Sequence, residues 1–186
     1  MRTLTAIILF ILASHQSSGQ DISNQITYDA MRRWQDTGTL IYLRSELSFS
    51  EAQNVIITGK LSGGDQETKM NKLFLTKADN EIVLQKLKSR HRAQWKDSLF
   101  ENSKGLLRDT LQAILYDRQR GWPYFHKNVG KGYFQFSEPI FIRNGRYALL
   151  TLIHMVGDSA GYNLLFVYKK EGADWKRYIM MPLGAW

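Results

Sequence analysis

Gly157-Asp158-Ser159-Ala160-Gly161 is the segment of this chain that most resembles a reactive site, because it fits the G-x-S-x-G pattern of a serine nucleophile elbow. Such an elbow needs a strand before it and a helix after it. An acid and then a histidine must follow further along the chain. Here the next segment, YNLLFVYKK, has the composition of a strand. No histidine lies beyond residue 154, and 25 residues remain after Gly161. The trypsin-like order of His, Asp and Ser suits the order of residues, but the helical middle of the chain leaves no room for two β-barrels. Asp, Ser and two Gly are ordinary turn residues, so the segment reads as a turn.

The histidines are His15, His91, His126 and His154, with no H-x-H or H-x-x-x-H pair and no cysteine anywhere. No metal site is signalled, because zinc ligands normally come in closely spaced pairs, and no cofactor is expected. His154 sits in an otherwise apolar stretch and reads first as a core residue. In a functional role, a partly buried imidazole suits proton transfer, with Glu138 or Asp158 as candidate carboxylates. Trp122, Tyr124, Phe125 and His126 form an aromatic cluster ahead of Gly130 and Gly132. Such a cluster either stacks a ring-shaped ligand or closes the end of a core. The candidate ligand-binding residues are therefore Trp122, Tyr124, His126 and His154. Lys86, Lys88, Arg90, Arg92 and Lys96 make a basic run that reads as a solvated helix face, and nucleic acid is not an expected partner.

The N-terminus carries a different kind of signal. Arg2 precedes the apolar run Leu4–Ala13, and the polar stretch Ser14–Gln20 follows. A bilayer-spanning helix needs about 20 apolar residues, so this run is too short to span. It has the order of an export signal. Cutting after Gly19 places small residues at both required positions, which predicts a signal over 1–19 and one domain over 20–186. Nothing else in the sequence suggests a transmembrane anchor. The formal charge of +8 falls to +7 when Arg2 leaves with the signal. That balance suits a periplasmic or secreted protein near anionic envelope material. With 44% hydrophobic and 12% aromatic residues the chain has a globular composition.

The elements that must position these residues follow from periodicity. Thr39–Leu43 and Leu73–Leu75 suit short strands, and Thr58–Lys69 reads as a loop. Ser45–Ile57 is mixed: Ser50 and Gln53 suit a capping box, whereas Val55–Ile57 favours a strand. A helix starts at Lys77 behind a Thr76 cap, with Val83, Leu84, Leu87, Trp95 and Leu99 on one stripe beside His91. A second helix over Leu106–Arg118, capped by Ser103, ends at Gly121-Trp122-Pro123. Then the period changes to two. Ile140–Ile142, the turn Asn144-Gly145, Arg146–Val156, Tyr162–Lys169 and Trp175–Met180 form a meander, with Tyr133–Phe136 as an outer strand. The expected fold is α+β, with two central helices packed on an antiparallel sheet of about four strands.

Phe136-Ser137-Glu138-Pro139-Ile140-Phe141, Tyr147-Ala148-Leu149, Tyr168-Lys169-Lys170 and Trp175-Lys176 together resemble a pattern in small exported proteins of Bacteroidota-type bacteria. Many of these carry a Cys-Gly pair or a Gly-rich stretch in the turn, where this chain has Gly157 and Gly161 without cysteine. The resemblance covers roughly 45 residues. It implies a Gram-negative envelope or secreted setting and carries no activity. The leading expectation is a non-catalytic binding domain for an envelope component or another protein. The alternatives are a small histidine-dependent enzyme, or a fold resembling the nuclear-transport-factor-2-like group with a small-ligand cavity.

Overall fold

The computed structural model describes residues 21–34, 38–64, 69–88 and 94–185. The expected signal over 1–19, His15, His91, Arg90 and Arg92 lie outside these residues.

The described chain is α+β, as expected, but with more elements than periodicity revealed. Helix α1 covers residues 21–32. Strand β1 (Leu40–Leu43), a 3₁₀ turn (Phe49–Ala52) and helix α2 (Gln53–Ile57) follow. Strands β2 (Lys60–Gly63) and β3 (Asn71–Phe74) form a separate two-stranded hairpin. Helix α3 (Lys77–Lys88), strand β4 (Ser103–Leu106), and helices α4 (Arg108–Leu115) and α5 (Gly121–Asn128) make up the middle. Strands β5 (Tyr133–Phe136), β6 (Ile140–Ile142), β7 (Tyr147–Gly157), β8 (Ala160–Glu171) and β9 (Asp174–Ala185) complete the chain. Among the described residues, five helices and nine strands thus replace the expected two and about four.

The main sheet has the order β4-β1-β5-β7-β8-β9, with β6 also paired to β7. The C-terminal meander is antiparallel, while β1 pairs in parallel with β4 and β5. The expected outer strand at Tyr133–Phe136 is therefore interior, lying between β1 and β7. Both sheet faces are covered, which explains why β7 and β8 are apolar on both sides. Alternation along β7 sends Ala148, Leu150 and Leu152 to the face under α1, where Ile26, Ala30 and Met31 pack. Leu149 goes to the opposite face, against Ile56 of α2, Leu61 and Leu73 of the hairpin and Val83 of α3. Beside it, α4 and α5 cover β1 through Leu111, Trp122 and Phe125. Each such side chain contributes about 1.5–3 kcal/mol when fully buried.

Several local expectations change for identifiable reasons. Thr76 caps α3 in a reciprocal box with Asp79: Asp79 N donates to Thr76 Oγ1 (3.1 Å) and Thr76 N donates to Asp79 Oδ2 (2.8 Å). The helix stops at Lys88, however, and Trp95 and Leu99 belong to the following irregular chain. Tyr42 fixes that chain, its hydroxyl donating to Lys96 O (2.5 Å) and accepting from Leu99 N (2.7 Å). Trp95 is free to stack on Phe136 at 5.0 Å for that reason. Of the two readings of Ser45–Ile57 the helical one holds at its end, where Val55–Ile57 lies in α2, and Ser48 rather than Ser50 caps the preceding 3₁₀ turn. The glycine-rich stretch after Thr58 contains β2, because Gly63 lets the hairpin approach β9. A Cβ at Gly63 would stand 2.3 Å from Met180 O. Ser103 begins β4 and does not cap α4, whose N-cap is Leu107. Gly121-Trp122-Pro123 starts α5 instead of ending a helix. Proline in a first turn gives up no intrahelical bond, so it is tolerated there.

Candidate functional site

The α5 helix and the β5–β7 pairing bring two of the four candidate residues to one place. In the antiparallel register Phe134 of β5 lies directly opposite His154 of β7. Side chains so paired meet on one face. The His154 ring stacks on Phe134, with centroids 4.3 Å apart and planes 10° apart. Trp34, just beyond α1, lies 6.1 Å from the His154 ring and also packs edge-on against Phe166.

These rings form the floor of a cleft of about 250 Å³ at the end of the sheet. Gly38, Thr39 and the start of β1 make one wall. The chain leaving α5, from His126 through Val129-Gly130-Lys131-Gly132, makes the other. The tight approach of that chain requires glycine, since a Cβ at Gly132 would stand 2.5 Å from Met155 O and 3.0 Å from His154 Nε2. The same glycine leaves the edge of the His154 ring uncovered.

His154 is 7% exposed, and its Nδ1 is buried without a hydrogen-bond partner. Burial penalises the charged ring and pulls its pKa down to about 4, so it is neutral at ordinary pH. His126 is exposed and holds Val156 O through Nε2 at 3.0 Å. A carbonyl oxygen only accepts, so Nε2 carries the proton, and in the neutral ring Nδ1 is left as an acceptor.

The other two candidates lie outside the cleft. Trp122 is buried against Phe125 and stacks on Tyr133 at 6.0 Å, with planes 10° apart. Tyr124 is exposed on α5 under the Arg120 guanidinium (5.4 Å) and does not line the cleft. The suggested carboxylates lie elsewhere as well. Glu138 pairs with Lys86, and its backbone N donates to Glu46 Oε1 (3.1 Å). Asp158 is exposed in the β7–β8 turn, as is Ser159. No Asp or Glu lines the cleft among the described residues, and none of them forms a cluster of three metal-binding side chains.

Trp34, Phe134, Thr39 and Lys131 enter the site without having been singled out from sequence. The one sequence signal near them was the pair Gly130 and Gly132, behind the aromatic cluster. Trp34 gave none, because its approach to His154 depends on how α1 lies over the sheet. Compared with family models, curated proteins and solved structures, the chain matches none of them.

Proposed function

We propose that this chain is an exported, non-catalytic binding domain that holds a small group of an envelope component in the cleft between Trp34, His154 and the Gly130–Gly132 segment. The export part rests on the Arg2, Leu4–Ala13 and Ser14–Gly19 succession. The binding part rests on one observation: the His154 imidazole, stacked on Phe134 and flanked by Trp34, lines an open cleft with its Nε2 edge beside Gly132. Binding is favoured over proton transfer because no Asp or Glu among the described residues lines the cleft to orient the neutral His154 or to share a proton. The net positive charge adds long-range attraction toward anionic envelope polymers.

A fragment screen by ligand-observed NMR tests this reading. The protein is compared with Thr39→Phe, which fills the cleft from its exposed rim, and with Tyr124→Ala, which leaves the cleft untouched. The reading requires fragments that bind the wild type and the Tyr124→Ala protein but not Thr39→Phe. If no fragment shows that pattern, the cleft is not a binding site.

A further inference from the structure

The geometry points to a neutral, hydroxyl-rich ring, a terminal sugar residue of a glycan, as the class of ligand that the Trp34–His154 cleft accepts. This rests on the reading of the cleft as a binding site.

Size sets the first limit. Drug-sized ligands occupy cavities of about 300–1,000 Å³. A cleft of about 250 Å³ suits a single ring or an end group.

Charge sets the second. A cationic ligand finds no carboxylate in the lining among the described residues. Lys131 is the one charged side chain there among those residues, and the α5 C-terminus lies beside it. Val129 and Gly130, whose N–H groups are both turned back to Phe125 O (2.8 and 3.1 Å), line the cleft. The C-terminal end of a helix carries partial negative charge, which offsets part of the Lys131 charge at this wall.

Hydrogen bonding sets the third. His126 Nδ1 accepts in the neutral ring, because Nε2–H is committed to Val156 O. Nε2 of the neutral His154 ring, beside Gly132 in the lining, donates or accepts according to the tautomer. A hydroxyl group both donates and accepts, so adjacent hydroxyls satisfy either tautomer. Trp34 adds an aromatic surface beside these nitrogens, the kind of platform on which the C–H face of a ring packs. A neutral, hydroxylated ring meets all three limits.

The experiment is a titration followed through the backbone amides of Gly38, Gly130 and Gly132 by ¹H–¹⁵N NMR. The probes are the methyl glycosides of glucose, galactose, mannose and N-acetylglucosamine, with glucuronate and glucosamine as charged counterparts. At least one neutral glycoside is expected to shift all three amides and to bind more tightly than both charged sugars. His154→Phe keeps the ring stack on Phe134 but removes both nitrogens, and is expected to weaken that binding about tenfold. Thr39→Phe, at an exposed position, should abolish it. If a charged sugar or a non-sugar fragment shifts the amides and no neutral glycoside does, the ligand class is wrong while the cleft reading stands. If neither glycosides nor fragments shift them, both fall. Equal affinity of His154→Phe for the glycoside also overturns the assignment.

Discussion

The His154 environment makes a quantitative demand on stability. Its pKa falls from the ordinary 6.5 to about 4 on folding, because burial desolvates the charged ring. The unfolded chain therefore binds the proton more readily than the folded one. Between these two values stability rises with pH and is lost as pH falls. Each pKa unit corresponds to about 1.4 kcal/mol, so the full shift is worth about 3 kcal/mol below pH 4. At about pH 5 most of that penalty is already present, about 2 kcal/mol, and at about pH 7 nearly none of it. The measurement is urea unfolding of the protein and of His154→Phe at these two pH values. Destabilisation on going to pH 5 should be smaller in the variant by about 2 kcal/mol. This difference of differences cancels the cost of the substitution itself. Equal pH dependence in both proteins would refute the argument, as would a His154 ring that titrates near 6.5 by NMR. Either result would mean that water reaches the ring in the folded protein.

Other outcomes follow from the packing. Trp122→Ala should cost about 3–5 kcal/mol by thermal or urea unfolding, as expected for a buried tryptophan, whereas Tyr124→Ala should stay within about 0.5 kcal/mol. Asp79 is buried, which raises its pKa, but the Thr76 N–H and hydroxyl and the Arg143 guanidinium (3.0 Å) outweigh that and hold it below the usual carboxylate value. The stability it contributes is present above the ordinary carboxylate pKa and is lost as pH falls through the lowered one. Asp79→Ala should cost about 2–3 kcal/mol at neutral pH, because it also leaves Arg143 without its carboxylate. Thr76→Ala should cost about 1 kcal/mol. Gly63→Ala should destabilise by about 1–3 kcal/mol, since the new methyl meets the Met180 carbonyl of β9, a backbone atom that cannot swing aside. Ser159→Ala should change unfolding by less than about 0.5 kcal/mol, as expected of an exposed turn residue.

Local chemistry set the hairpins of the C-terminal meander, Ile140–Met180. The near-continuous apolar run Tyr147–Val156, the positive φ of Asn144 and Gly145 (53° and 75°) and the turn at Asp158-Ser159 all follow from residues within a few positions of one another. The same is true of α3, whose start is set by the Thr76–Asp79 box. The middle was less legible because its signals come from distant partners. Trp95 and Leu99 extend the apolar spacing of α3 by coincidence, and the position of that segment depends on Tyr42, more than 50 residues away. The parallel pairing of β1 with β4 and β5 leaves no periodic mark, because strands of four residues carry too few alternations. The site divides in the same way. A histidine in an apolar strand and two glycines behind an aromatic cluster could be read from the chain. That His154 and His126 share a cleft, that Trp122 is core and Trp34 is not, and that no carboxylate reaches the imidazoles among the described residues are consequences of strand register and helix placement. Tertiary structure decides these because they rest on contacts between residues 20 to 120 positions apart, which no local pattern encodes.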